Sequence, residues 1–95
     1  MALKKEIELD NGVITNYHRI VSIIKITNVS NLIEVASYTN EQKREEEKEA
    51  IENGTEINIF INTEYISAEY DENITIEETY EYLKTLDKYK GAEDI

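Results

Sequence analysis

Through the first half of the chain, apolar and polar residues alternate with a period of two. From Lys4 to Leu9, Ile7 and Leu9 fall on one side and Glu6 and Glu8 on the other. This is the pattern of a β-strand with one dry face. Asp10-Asn11-Gly12 then supplies residues that tolerate the positive φ of a tight turn. Val13 to Thr27 follows as a long run of Val, Ile, Thr and Tyr, all residues that suit strands. Strict alternation puts His18, Ile20, Ser22, Ile24 and Ile26 on one face and Tyr17, Arg19, Val21, Ile23 and Lys25 on the other. Both faces are partly apolar, so this strand is expected to lie centrally in a sheet or to be buried on both sides.

Asn28 to Asn31 reads as a second polar turn and Leu32 to Tyr38 as a third strand. A fourth is expected from about Glu56 to Tyr65, where Ile57, Ile59 and Ile61 alternate opposite Phe60. The period then lengthens. Ile76, Thr79, Tyr80, Leu83 and Leu86 share one face at helical spacing, which predicts a helix over Thr75–Leu86. Thr75 and Glu78 fit a capping box, in which the threonine oxygen accepts an unpaired amide and the glutamate reaches back; Asn73 is the rival cap. Gly91 is expected to break the chain before a short tail.

Between the third and fourth strands, residues 40–54 are almost wholly charged or polar. Glu41 to Ala50 favours helix by propensity but shows no apolar stripe to dock on a core. It reads as a charged, solvated loop or short helix at the tip of a hairpin. The pattern as a whole predicts an α+β fold in one domain, residues 1–95. Its core element is a four-stranded, mainly antiparallel sheet in hairpin order, with the C-terminal helix packed on one face. One helix covers one face. Val21 and Ile23, assigned to the other, are expected to be covered by a partner chain, with edge pairing between copies as the route.

Charge narrows the function classes. The chain of 95 residues carries 10 Lys+Arg against 21 Asp+Glu, a formal net charge of −11. Direct nucleic-acid binding rests on a basic footprint and is not expected, and neither is docking on an anionic membrane. No apolar run approaches the roughly 20 residues of a membrane span. Met1 to Lys5 leads into alternating charge, not into the apolar core of a signal peptide. Synthesis in the cytoplasm is therefore expected. The sequence has no cysteine, which removes disulfides, thiolate metal sites and cysteine nucleophiles.

Chemistry-bearing motifs are sparse. His18 is the one histidine, and no nucleophile or acid is arranged around it in sequence. A histidine-rich metal centre is excluded by count, and His18 reads as a structural or interface residue. Glu69, Asp71 and Glu72 lack the ligand order of a calcium loop; they read as acids at a helix entry, complementary to its dipole. The three glycines are scattered and build no phosphate cradle. No catalytic residue, metal or cofactor is assigned, and the chain is not expected to be an enzyme. Seven tyrosines against one phenylalanine and no tryptophan suit wet protein interfaces, because tyrosine has an apolar ring and a polar tip. The candidate contact residues are Tyr17, His18, Arg19, Val21, Ile23, Tyr65, Tyr70 and Tyr82.

The ends of the chain add a resemblance. Met1-Ala2-Leu3-Lys4-Lys5, Asn11-Gly12-Val13, Tyr17-His18-Arg19-Ile20, Ser37-Tyr38, Tyr80 to Leu86 and Gly91-Ala92-Glu93-Asp94 resemble a group of small tailed-bacteriophage and prophage proteins of similar length. Glu41 to Asn53 departs from that pattern, and Asp87 stands where similar chains carry proline. The resemblance implies a virion-associated structural protein, in the tail or its tip, made in the host cytoplasm and working through contacts with itself or other virion proteins. It brings no catalytic residues. Two other readings stay open: a small acidic inhibitor of a host protein, suggested by the net charge, and a small-ligand module formed at an oligomer interface by His18, Arg19 and the tyrosines.

Overall fold

The computed structural model describes residues 1–55 and 59–95. In chain order its elements are β1 (Leu3–Lys4), β2 (Ile7–Glu8), β3 (Ile14–Thr15), β4 (Tyr17–Ile26), β5 (Ser30–Tyr38), α1 (Glu41–Glu52), β6 (Asn62–Ala68), α2 (Ile76–Leu83) and β7 (Glu93–Asp94). The fold is α+β, built on a large antiparallel sheet. Among the described residues that sheet has five strands, not four, in the order β6-β5-β4-β1-β7. β4, β5 and β6 follow in hairpin order, as the alternation implies. The tail beyond Gly91 is not free: β7 pairs with β1, Leu3 opposite Asp94 and Lys4 opposite Glu93.

Two expected strands are each broken in two. Lys4–Leu9 divides at Lys5, whose carbonyl accepts from Nε2 of His18 at 2.8 Å, so the chain leaves the main sheet there. Ile7–Glu8 instead forms a small hairpin with Ile14–Thr15. Its turn is the expected one, with Gly12 at φ +84° and the Val13 amide donating to Oδ1 of Asn11. Val13–Thr27 divides at Asn16, whose amide donates to the Tyr38 carbonyl. The β4–β5 turn contains Asn28 at φ +59°, a conformation that asparagine tolerates better than most residues.

The fourth strand lies further along than expected, at Asn62–Ala68 in place of about Glu56–Tyr65. Ile57 lies outside the described residues. The Ile59 amide is taken by a carboxylate oxygen of Glu47 at 3.0 Å, so it is not available to a ladder. Pairing with β5 begins at Asn62, opposite Ser37.

The largest departure lies inside β4. Ile20 pairs with Val35, but Ser22 pairs with Glu34, so Val21 is an extra residue and the strand bulges. A bulge shifts the side-chain parity of everything beyond it. His18 and Ile20 therefore share the inner face with Ile23 and Lys25. Ser22, Ile24 and Ile26 move to the outer face with Tyr17 and Arg19.

The inner face carries the main core of Leu3, Ile33, Val35, Tyr80, Leu83 and Tyr89, against which Ile7, Ile20 and Ile66 pack. α2 supplies Tyr80 and Leu83 and starts at the predicted capping box on Thr75 and Glu78. Ile76, expected on the buried stripe, is 59% exposed. The Tyr80 hydroxyl accepts from the Ile20 amide at 2.9 Å and donates to the Met1 carbonyl at 3.0 Å. It thus ties α2 to β4 and to the start of the chain.

The outer face has its own smaller core of Ala2, Tyr17, Ala36 and Tyr38, with Phe60 against it. The 40–54 segment is ordered as a helix, and it does pack on the protein. α1 is held by a polar anchor in place of an apolar stripe. Glu47, 3% exposed, accepts from the Tyr38 hydroxyl at 2.7 Å, from Arg44 at 2.6 Å and from the Ile59 amide. Burial would raise the Glu47 carboxyl pKa, but these donors outweigh it and hold the group below the ordinary carboxylate range. α1 thus covers the outer face only at its Tyr38 end.

Candidate protein-contact surface

The predicted contact residues separate into two groups. Tyr17 and His18 are not surface residues, with exposures of 7% and 1%. Tyr17 meets Tyr38 edge to face at 5.6 Å between centroids. His18 is clamped by Oγ of Ser37 on Nδ1 at 2.8 Å and by the Lys5 carbonyl on Nε2. The Ser37–His18 spacing is that of a nucleophile and its base, yet Ser37 is 4% exposed, so no substrate reaches it in this conformation. Burial lowers the His18 pKa and Lys88 adds to this, against the Lys5 carbonyl and Glu64, which raise it. Arg19 is half-buried and donates from Nε to the Tyr38 hydroxyl at 3.1 Å. Tyr82 is half-buried against the main core, and Tyr70 is half-buried beside the acidic turn.

Val21 and Tyr65 are exposed, at 41% and 58%. Ile23 is half-buried and lies on the helix-covered face, not on the open one as parity implied. Val21 is matched or exceeded by residues the alternation had assigned to the covered side: Ile24 at 46% and Ile26 at 41%. The bulge turned Ile23 inward and Ile24 and Ile26 outward while Val21 stayed exposed, and no turn residue in the sequence marks it.

These residues surround an unpaired edge. β1 pairs with β4 at Leu3–His18 alone. Beyond it the Ile20 amide is capped by Tyr80, and from there to Ile26 no described strand lies along the outer side of β4. A groove of roughly 300 Å³ runs beside this edge, lined by residues Ile20 to Ile23, Lys25, Ile74 and Ile76. Ile24 and Ile26 continue the apolar surface around the edge onto the outer face. The stretch Ile20–Ile26 holds one charge, Lys25, and no carboxylate. Lys25 donates to the Glu72 carbonyl.

The other exposed edge, β6, is built differently. Its outward residues are Thr63, Tyr65 and Ser67, and the Glu34 carboxylate opposite Tyr65 raises the tyrosine's pKa. On the inner face Glu64 accepts from Lys88 at 2.7 Å and from the Tyr89 hydroxyl. Burial would raise the Glu64 pKa, but these donors and the Lys88 charge lower it on balance. Burial and the hydrogen bond to Glu64 push the Tyr89 pKa far up. An inward-pointing charge of this kind blunts an edge.

Among the described residues no group of three or more His, Cys, Asp or Glu is placed to hold a metal. Among the described residues no helix is long and apolar enough to cross a membrane. No family model, curated protein or solved structure matches the chain.

Proposed function

We propose that this chain is a structural or assembly subunit that acts through protein–protein contacts, in the tail or tail tip of a tailed bacteriophage. The observation that carries the assembly reading is the open β4 edge with apolar residues on both its sides, Ile23, Ile74 and Ile76 on one and Ile24 and Ile26 on the other. An unpaired, apolar strand edge is a template for another strand and a liability to a chain that stays alone. The phage setting rests on the resemblance of the chain's two ends. On this reading the protein is made in the host cytoplasm, ends in the virion, and its partners are further copies or other virion proteins. Mass spectrometry of purified virions tests it. Peptides of this chain in many copies per particle are expected, and their absence from the particle rejects the setting.

A second reading has one observation of its own. Glu41, Glu45, Glu49 and Glu52 are all exposed on α1, and the first three, four residues apart, stand about 6 Å from one to the next along the helix. Such a row is suited to a basic cleft on a host protein. Capture of host proteins on immobilised chain at low and high salt separates the two readings. A host partner released by salt favours inhibition, and salt-resistant self-association favours assembly.

A further inference from the structure

We propose that the outer edge of β4 is completed by the same edge of a second copy, antiparallel, with Ile24 on the two-fold axis. This rests on the assembly reading and specifies its partner. The edge is bounded at one end by the Val21 bulge and at the other by the turn after Ile26. The pairing segment is therefore Ser22–Ile26. A two-fold axis makes the contact self-complementary. With the axis at Ile24, Ser22 faces Ile26 and Ile23 faces Lys25 of the other copy.

Three features favour a second copy over a foreign strand. First, the register places no charge opposite a like charge, since Lys25 meets Ile23, where its aliphatic stem covers apolar surface. Second, Ile24 and Ile26 of the two copies form one continuous apolar strip on the joined outer face, which covers side chains that are 46% and 41% exposed in a single chain. Third, the net charge of −11 makes two copies repel, and Ile20–Ile26 carry no carboxylate of their own, with Glu34 beside Ser22 set one strand in, on β5. Two such molecules meet with least repulsion there. Both bulge and turn stop the ladder, so the contact closes as a dimer and does not run on into a fibre.

The charge argument fixes the sign of the salt effect. Repulsion between the copies is screened over about 10 Å at ~0.1 M salt, so added salt tightens the dimer. A basic foreign partner would be loosened by it.

Sedimentation velocity of the full chain, with Ile24→Lys and Tyr65→Lys beside it, tests the proposal. The unmodified chain is expected to dimerise, with a dissociation constant that falls as salt rises. Ile24→Lys should weaken the dimer by at least about a hundredfold, the scale of a like-charge pair at the axis. Tyr65→Lys, on the β6 edge, should leave it unchanged. Because the chain has no cysteine, Ile24→Cys reports the axis directly and should oxidise to a covalent dimer. A monomer at all concentrations, or an Ile24→Lys dimer as tight as the unmodified one, overturns the two-fold pairing. A monomer whose Ile24→Lys form no longer joins virions overturns it while leaving the assembly reading in place. A monomer absent from virions removes both.

Discussion

Single residues carry much of the organisation. Glu47 is the clearest case, because one carboxylate holds α1 to the sheet and takes the Ile59 amide out of any ladder. Glu47→Ala leaves the Tyr38 hydroxyl, the Ile59 amide and the Arg44 guanidinium short of a partner, and is expected to cost about 2–4 kcal/mol. Urea unfolding measures this, and a loss near zero would mean that α1 is not anchored there. His18 sets the acid response. Its folded-state pKa lies below the ordinary value, so the unfolded chain binds the proton more readily than the folded one. The stability gained by keeping the ring neutral is complete above about pH 6.5 and is lost as pH falls from there through the folded-state value. Glu64 and Glu47, also lowered, add a second loss below about pH 4.5. In His18→Gln, stability should change less between about pH 7 and 5 than in the unmodified chain. An unaltered slope would place the titration elsewhere.

At the scale of elements, the alternation in the sequence gives the hairpin succession β4, β5, β6, the Asp10–Gly12 and Asn28 turns and the capped α2, because local pattern and turn chemistry decide each. Non-local pairings decide what it misses. Nothing near Lys5 announces that His18 will take its carbonyl, nor does the Ile57–Ile61 alternation reveal that Glu47 competes for Ile59. The Val21 bulge matters most for the candidate surface. Its residue is β-branched and apolar like its neighbours, so parity read from sequence places Ile24 and Ile26 on the wrong face.

The bulge makes a sharp prediction. Deletion of Val21 should restore an unbroken ladder with Ser22 still opposite Glu34 and Ile23 still facing α2, at a cost of no more than about 2 kcal/mol. In a regular strand the same deletion would turn every later side chain to the other face. Thermal unfolding with amide exchange of residues 22–26 distinguishes the two. Tyr80→Phe removes the hydroxyl that joins α2, β4 and the Met1 carbonyl and should cost about 1–3 kcal/mol by the same unfolding measurement.

At the scale of the whole molecule, two regions of the described sheet are covered, and the edges at β6 and at the far half of β4 are open. α2 and the turns after it cover the inner face, α1 covers the Tyr38 end of the outer face, and the far half of β4 is left with an open edge. The sequence signals an excess of apolar surface on this strand correctly: Val21 is exposed as expected, while Ile23 is half-buried and Ile24 and Ile26 are exposed in its place. Of the tyrosine candidates, Tyr65 alone is strongly exposed. Tyr17 serves the core, as does His18 beside it, so the exposed apolar surface of β4 is aliphatic and not aromatic.

The most direct test of that bare edge is amide hydrogen exchange, in the unmodified chain, of those Ser22–Ile26 amides that point away from β5, followed as the concentration is raised. Protection that grows with concentration at these amides, with β6 amides unaffected, is the expected result. Exchange at these amides that is already slow and independent of concentration would mean that the chain shields this edge by itself, contrary to this account.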